Sequence, residues 1–190
     1  MKKTLLAVLA VAASAGAMAQ SAVYKIDPTH TKAMWEAKHF GTSTNRGHWE
    51  KTDGEITLDK AAKSGKVDVT IDMSSINTGV VPFNGHLKGA DFFDVANHPT
   101  ARFVGEKLTF DGDKLTEVAG NMTIRGNTNP AVLKATSYNC YENPRLKREV
   151  CGGDFETVIK RSTYGVNWGI AEKFTSDDIK VTIQVEAIKQ

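Results

Sequence analysis

The sequence predicts an all-β protein, arranged as an antiparallel barrel or sandwich. In residues 66–74 and 179–187, apolar side chains at odd positions alternate with polar side chains at even positions. Period-two alternation with one apolar face is typical of a half-buried antiparallel strand. Turn-forming Gly and Asp residues recur between such segments, and no βαβ spacing is present. The pattern therefore predicts about eight or nine strands in a single domain.

The remaining strands show the same alternation less strictly. From the amino terminus, we expect them at residues 24–26, 33–37, 55–58, 101–110, 118–124, 131–137 and 155–159. Gly and Asp tolerate the positive φ that tight turns need. We therefore expect turns at residues 52–54, 64–65, 111–113, 125–127 and 152–154.

Residues 80–95 lack period-two alternation, and Pro82 and Gly85 disfavour a strand there. The apolar side chains that could share one face of a short helix are Leu87, Ala90, Phe92 and Phe93. We expect this segment to lie over one end of a barrel, either as a plug that closes the core or as a gate for a ligand.

The first residues have the three-part pattern of a secretory signal peptide. Lysines at positions 2 and 3 precede an uncharged run rich in Ala, Leu and Val, and Ala17 and Ala19 supply the small residues of a cleavage site. The run is shorter than the ~20 residues of a membrane span, and Gln20 rather than Cys follows the site, so a lipoprotein anchor is not indicated. We expect residues 1–19 to be removed and residues 20–190 to form one domain in the bacterial periplasm.

The charge of the mature chain is balanced. The full sequence has 24 Lys and Arg against 22 Asp and Glu, and loss of Lys2 and Lys3 makes the two totals equal. A neutral, mixed surface does not favour a nucleic-acid partner, which requires a basic face, or binding to an anionic membrane surface. No transmembrane segment is expected in the mature chain.

The two cysteines, Cys140 and Cys151, are predicted to form a disulfide, because an even number of cysteines in an exported chain is usually paired. On the chain-entropy estimate, closing this ring stabilises the fold by roughly 3 kcal/mol. The intervening sequence is polar and contains Pro144, so we expect the bond to pin a surface loop. A metal or redox pair is the alternative, but the spacing is far from C-x-x-C and no His lies between the cysteines.

Motifs for catalysis and cofactor binding are missing from the sequence. It contains no H-E-x-x-H, G-x-S-x-G, P-loop or G-x-G-x-x-G pattern, and no nucleophile or carboxylate pair stands out. The histidines are His30, His39, His48, His86 and His98. They lack a recognisable metal spacing, although a metal site assembled from separate strands leaves no local signature. The sequence therefore predicts no catalytic residue, no metal site, no cofactor and no enzymatic activity.

Short motifs along the mature chain occur in the order of a known family. They are YKIDPTHT at 24–31, KHFG at 38–41, EITLD at 55–59, SSINT at 74–78, HLKGADFFD at 86–94 with HPTARF at 98–103, GNMTIRG at 120–126 and IKRSTYG at 159–165. In this order, over nearly the whole mature chain, they resemble the YceI-like family of periplasmic polyisoprenoid-binding proteins. The block at 86–94 is the most specific of them.

The resemblance implies a single antiparallel eight-stranded lipocalin-like β-barrel with one or two short helices. It implies a carrier or store that holds an isoprenoid lipid, such as a polyprenyl chain or an isoprenoid quinone, in the lumen. The candidate wall residues are Trp35, Val69, Ile71, Phe103, Met122 and Ile159. The candidate residues at the end that admits or closes over the ligand are Leu87, Phe92 and Phe93.

Two departures from the family pattern bear on the ligand and on possible contacts. Many members carry an Arg-Asp pair where this chain has Phe83-Asn84-Gly85, which bears on head-group preference. The segment at 138–151 is absent from many members, looks like a disulfide-pinned loop and carries the basic residues Arg145, Lys147 and Arg148. Those charges are either solvated or contact a partner or an anionic head group.

Other functions remain open at this stage. A barrel of about eight strands can be filled by side chains or can hold one slender ligand, and the pattern does not choose between the two. The alternatives are a periplasmic redox or metal accessory protein that uses histidines near the barrel mouth, and a stress-induced barrel whose partner is another protein. The sequence also leaves homodimerisation open.

Overall fold

The computed structural model describes residues 21–190, so the predicted signal peptide at 1–19 lies outside the described residues. The strands are β1 (Ala22–Ile26), β2 (Lys32–His39), β3 (Ser43–Trp49), β4 (Thr52–Asp59), β5 (Ser64–Asp72), β6 (Ile76–Asn77), β7 (Thr100–Asp111), β8 (Lys114–Ile124), β9 (Asn127–Asn143), β10 (Arg148–Lys160) and β11 (Asp178–Lys189). The helix α1 spans Val81–Lys88, and short 3-10 helices span Met73–Ser75 and Arg161–Tyr164.

The strands form one closed antiparallel barrel. Hydrogen-bonded neighbours run in the order β1, β4, β5, β7, β8, β9, β10, β11, and β11 pairs back onto β1. One long hairpin is made of β1 and β2 on one side and β3 and β4 on the other. The turn between β2 and β3 closes it, and β2 also lies beside β11. The short β6 continues β5 and pairs with β3. The eight-stranded barrel is therefore confirmed, and the sandwich is excluded.

The alternating patterns assign the inner face of the barrel correctly. On β5 the odd-numbered residues from Val67 to Ile71 line the interior, as does Met73 just beyond the strand, and on β11 the odd-numbered residues from Ile179 to Ala187 do the same. Every predicted strand is present. Strand β3 was not predicted, because its sequence STNRGHW has little apolar alternation and only Trp49 is fully buried.

Two of the predicted turns are wrong, and a third lies just before its predicted position. Residues 52–54 lie in β4 and residues 152–154 lie in β10, and both are paired along their length. A Cβ atom at Gly153 would lie 2.1 Å from the Ser137 carbonyl oxygen, and one at Gly54 would lie 2.3 Å from the Asp68 carbonyl oxygen. Glycine at these positions permits close approach of a neighbouring strand. The turns at 111–113 and 125–127 are confirmed, and 64–65 opens β5 directly after a turn.

The disulfide between Cys140 and Cys151 is present, but it does not pin a surface loop. The two cysteines face each other directly across β9 and β10, and the strands continue past them to Asn143 and Arg148. Cys151 is 7% exposed and packs in the barrel core. The polar residues around the cysteines are the outward-facing positions of two long strands, which is why the segment looked like a loop.

The core divides into three apolar clusters stacked along the barrel. The first contains Leu87 of α1, the third contains Tyr24 and Cys151, and the second shares packing partners with both. The segment at 80–95 therefore covers one end, as expected, and the disulfide lies near the other. Within residues 21–190, no helix is long and apolar enough to cross a membrane.

Candidate ligand-binding cavity

An apolar cavity of about 390 Å³ extends along the inside of the barrel. Its lining includes members of all three core clusters, from Phe83 and Leu87 at the helical end to Leu58 and Ala187 at the other. The volume lies toward the lower end of the range for small-molecule sites, roughly 300–1,000 Å³. The lumen is thus open rather than filled, and its shape suits one slender apolar ligand.

We call the segment 80–95 the cap. All of the candidate residues proposed from the sequence, on the barrel wall and in the cap, line this cavity. They are Trp35, Val69, Ile71, Leu87, Phe92, Phe93, Phe103, Met122 and Ile159. Their shared position is a geometric finding, and their role in ligand binding stays a prediction. The sequence did not single out several further lining residues: Trp49, Thr52, Phe83, Phe155, Tyr164 and Trp168. The alternation in the predicted strand 155–159 could have pointed to Phe155, whereas Trp168 lies in an irregular segment without any periodic signal.

The cap is held on the barrel by aromatic contacts. Phe83 meets Trp35 edge-on with ring centroids 6.4 Å apart, and Phe93 meets Trp49 edge-on at 5.6 Å. Leu87 is 4% exposed and packs into the first core cluster. At 83–85 the sequence departs from the family pattern, and Phe83 thus places an aromatic ring on the cavity wall.

The cavity reaches the surface beside α1. His86 and Trp168 both line it and both are exposed, and their rings lie 5.0 Å apart. Further ring contacts run from Trp168 to Phe174, from Phe174 to Phe40 and from Phe40 to His39, which also lines the cavity. The mouth is therefore bounded by α1, the β2–β3 turn and the irregular segment 165–177.

Arg161 organises the segment 165–177 from inside the fold. Its buried guanidinium donates hydrogen bonds to the backbone carbonyls of Val166, Trp168, Thr175 and Ser176, at 2.8 to 3.3 Å. Burial lowers the pKa of this guanidinium from its ordinary value. Arg161, which belongs to the motif IKRSTYG at 159–165, therefore anchors one side of the mouth.

Arg125 joins the two segments that border the mouth. One of its guanidinium nitrogens donates to the Gly165 carbonyl at 2.6 Å, and the other donates to the Ala90 carbonyl at 2.7 Å. Its backbone is in the left-handed region with φ 48°, at the turn between β8 and β9. The cap and the segment 165–177 are thus tied to each other through one side chain.

The opposite end of the barrel is closed. Tyr24, which is 2% exposed, donates its hydroxyl to Glu149, which also accepts from Lys60. Burial, and next the hydrogen bond to Glu149, raise the pKa of Tyr24 far above its ordinary value, so the phenol is neutral. Burial acts to raise the pKa of Glu149, but the bonds from Lys60 and Tyr24 outweigh it, and that pKa is lowered.

Three buried polar atoms stand out on the cavity wall. Among residues 21–190, Trp35 Nε1, Trp49 Nε1 and Thr52 Oγ1 are the buried side-chain polar atoms without a hydrogen-bond partner. The three residues are 7%, 7% and 6% exposed, respectively. All three line the cavity in its cap-side half.

The charged groups on the cavity wall are already engaged. Arg161 is bonded to backbone carbonyls, and Arg102 points outward into a two-bond ion pair with Asp68. Within the described chain, no group of three or more His, Cys, Asp and Glu side chains is placed to hold a metal ion. Three histidines sit beside single carboxylates, and the other two, His39 and His86, border the mouth.

The family profile of the YceI-like domain matches residues 24–187. The chain belongs to the YceI-like family. Its relatives include a UPF0312 protein of Pectobacterium atrosepticum, which is 33% identical over 195 residues and is matched over 100% of this chain and 99% of its own length. A UPF0312 protein of Pseudomonas putida is 31% identical over 194 residues, with the same coverage.

Solved structures share the YceI-like fold. The Campylobacter jejuni YceI protein superposes with a TM-score of 0.71 at 29% identity, over 80% of this chain and 90% of that one. A polyisoprenoid binding domain from Saccharophagus degradans, implicated in plant cell wall breakdown, superposes with a TM-score of 0.62 at 16% identity, over 88% and 98% of the two chains. At that identity the second likeness shows a common barrel.

Proposed function

We propose that this protein binds an isoprenoid lipid inside its barrel and acts as a carrier or store in the bacterial periplasm. The observation that carries the proposal is the apolar cavity itself, which is closed at the Tyr24 end and opens beside α1 at the other. A long unbranched or methyl-branched tail is the ligand class that fits a narrow apolar tube. The ligand of the Saccharophagus domain, which has the same fold, supports this class.

Burial alone supplies the affinity such a ligand needs. Each CH₂ group removed from water contributes about 0.8 kcal/mol, so a fully buried five-carbon unit contributes roughly 4 kcal/mol before the losses of translational and rotational freedom. Two or three units therefore give useful binding without a charged anchor. This is the behaviour of a binding protein rather than an enzyme.

The periplasmic location rests on two features. The first residues have the pattern of a secretory signal peptide. The disulfide in the barrel wall forms and persists in an oxidising compartment. Intact-mass measurement of protein recovered from the periplasm should show a chain that begins at Gln20, and recovery of the full-length chain in the membrane fraction would contradict export.

The lipid proposal is tested on protein purified from its native periplasm without detergent. Organic extraction followed by mass spectrometry should release an isoprenoid in near-stoichiometric amount. Protein stripped of lipid should then take up an added isoprenoid quinone or polyprenyl phosphate. An extract without isoprenoid, together with no uptake of either compound, would defeat the proposal.

A further inference from the structure

Large apolar side chains are exposed around the mouth of the cavity. Each of the three segments that bound the mouth supplies at least one: Phe40 in the β2–β3 turn, Val80 and Val81 at the start of α1, and Trp168 in the segment 165–177. Their exposed fractions are 57%, 54%, 81% and 40%, respectively. We call these four residues the rim. A cluster of exposed apolar side chains marks a contact site for a protein or a membrane.

Aromatic contacts join one side of the rim into a single band. The ring centroid of Phe40 lies 5.2 Å from that of Phe174, which lies 5.9 Å from that of Trp168. The Trp168 ring in turn lies 5.0 Å from the His86 ring of α1. The exposed rings therefore form one connected surface that runs from the β2–β3 turn to the helix.

The solvent-facing side of α1 continues this surface. The exposed residues of the helix are Val81, Pro82, Gly85 and His86. None of these four is a lysine, an arginine or a carboxylate, although the outward face of a surface helix is usually charged or polar. The helix therefore presents an apolar face on both of its sides.

Phe40 is exposed in a backbone conformation that does not favour phenylalanine. Phe40 and Gly41 have φ of 50° and 67°, and the Thr42 N–H donates to the His39 carbonyl at 2.9 Å. Two consecutive residues with positive φ are typical of a type I′ turn, which favours asparagine followed by glycine. A bulky side chain at positive φ is an outlier, and such outliers concentrate at functional sites. An exposed ring at this turn is therefore better explained by a contact than by folding.

A lipid bilayer is the partner that fits this surface. The rim surrounds the opening of an apolar cavity, so a second copy or another protein seated on it would cover the opening. A bilayer in the same place brings the cavity into contact with a source of apolar ligand. Each CH₂ group that passes through water instead makes the passage about fourfold less favourable. Direct contact removes that barrier.

The charges near the rim fit a contact driven by apolar insertion. The charged side chains of the cap and of the segment 165–177 are Lys88 and Lys173 against Asp91, Asp94, Glu172 and Asp177. Basic residues do not predominate, so attraction to anionic lipids is not the driving force. Membrane affinity then follows the apolar area inserted, and tryptophan is a residue enriched at the membrane interface.

We propose that the mouth of the barrel docks on a lipid bilayer through the rim, with Phe40, Val81 and Trp168 inserted among the lipids. The docked protein exchanges its ligand with the bilayer without releasing that ligand to water. The exchange rests on the proposed function, whereas the docking does not depend on it.

Docking is measured by flotation of protein purified from the periplasm with vesicles of phosphatidylcholine. Phe40→Asn and Val81→Ser should each weaken vesicle binding about 5- to 10-fold. Both residues lie outside the cavity lining, and asparagine suits the turn at position 40. The matched control is Leu146→Ser, which removes an exposed apolar side chain from the β9–β10 turn beyond the closed end. It should bind vesicles like wild type.

Salt separates apolar insertion from a charge-driven contact. Wild-type binding should be the same at about 0.05 M and about 0.5 M salt, because salt screens only charges. It should also persist without anionic lipid. Binding that is lost at high salt, or that requires phosphatidylglycerol, would overturn the proposal.

Ligand exchange is measured as the transfer of a fluorescent isoprenoid quinone from the protein to vesicles. The rate should rise in proportion to vesicle concentration and fall in Phe40→Asn, whose affinity for the quinone in solution should match wild type. A rate independent of vesicle concentration would mean that the ligand crosses water, and would overturn exchange by contact. If the wild type binds vesicles but no quinone, the proposed function fails and the docking stands.

The remaining outcomes identify a different partner or a different surface. A wild-type protein that does not bind vesicles would overturn the docking. If sedimentation velocity then shows a dimer that both variants dissociate, the rim is an interface between two copies. Vesicle binding that is unchanged in both variants would place the membrane contact elsewhere. Should one variant fail to fold, as checked by circular dichroism, the other variant still decides.

Discussion

Ile71 shows how one side chain can report whether the barrel interior is used for binding. It lies on β5, packs against the first core cluster and lines the cavity, but it is only half-buried. In a filled core, an unpaired amide at this position would cost a few kcal/mol of stability. On an open wall, the amide faces the cavity and mainly disturbs the ligand.

We therefore expect Ile71→Asn to weaken binding of an isoprenoid quinone more than tenfold while the urea midpoint of the lipid-stripped protein falls only slightly. The affinity and the unfolding curve are measured on the same preparation. Ile71→Val, which keeps the wall apolar, is the control and should retain both properties. A large loss of stability with unchanged affinity would mean that Ile71 belongs to a closed core.

The residues of the cavity differ in how readily the sequence revealed them. Val69 and Ile71 could be assigned to the wall because alternation over a whole strand fixes which face is buried. Trp49 could not be assigned in this way, because β3 is part of the sheet through its pairing with β2 and not through an alternating pattern of its own. The unpartnered state of the Trp35 nitrogen depends on what surrounds the ring in three dimensions, so no one-dimensional pattern contains it.

At the scale of elements, two of the segments that border the mouth, the cap at 80–95 and the irregular segment 165–177, are held in place by arginine side chains. Arg161 donates to four backbone carbonyls of the segment 165–177, whereas Arg125 links that segment to the cap through Gly165 and Ala90. If a ligand leaves past α1, the link through Arg125 opposes the separation it needs. The hydrogen bonds of Arg125 are a small part of the barrel's total stability. Their removal should therefore mainly change the rate at which a ligand leaves.

Arg125→Ala should therefore speed dissociation of a bound quinone several-fold with a smaller change in equilibrium affinity. Stopped-flow displacement of a fluorescently labelled quinone by excess unlabelled quinone, followed through the fluorescence of the label, measures the rate. Arg145→Ala removes an exposed arginine from the β9–β10 turn, far from the mouth, and should leave the rate unchanged. An unchanged rate in Arg125→Ala would show that the ligand does not leave beside α1.

The disulfide also acts at the scale of elements, as a covalent rung between β9 and β10. The sequence predicted the correct pair of cysteines but placed them at the base of a surface loop. The reason is that the outward-facing polar positions of two long strands resemble a loop when read along the chain. Alternation from Ala131 is interrupted where the register with β10 shifts, between Asp154 and Phe155. A bulge of this kind hides the continuation of a strand from any period-two search.

Replacing both cysteines with alanine should lower the free energy of unfolding by roughly 3 kcal/mol on the chain-entropy estimate. Because Cys151 lines the closed end of the cavity, we expect ligands whose tails reach that end to lose affinity and short-tailed ligands to bind normally. A series of quinones with increasing tail length, titrated into both proteins, measures this. A loss that is equal for all tail lengths would place the effect outside the closed end.

At the scale of the whole molecule, the connections between strands are pinned by ionised aspartates. Asp27 accepts hydrogen bonds from the backbone and hydroxyl of Thr29, Asp72 from those of Ser74 and Asp177 from those of Ser162. The pKa of Asp72 is lowered first by the Ser74 hydroxyl, against the effect of burial. For Asp27 and Asp177 burial acts to raise the pKa, but the hydrogen bonds and nearby positive charges outweigh it, and both pKa values are lowered.

These shifts predict how stability depends on acid. Since each folded-state pKa lies below the unfolded value of about 3.9, the unfolded chain binds more protons near and below that pH. The stabilisation from these aspartates is fully present above the unfolded pKa and is lost as the pH falls through the folded pKa.

The free energy of unfolding, measured with urea at intervals from pH 6 to pH 2.5, should therefore decline steadily below about pH 4. Asp177→Asn should flatten part of this decline, whereas Asp113→Asn, in the exposed β7–β8 turn, should reproduce the wild-type curve. A decline that is the same in all three proteins would show that the acid sensitivity arises elsewhere in the barrel.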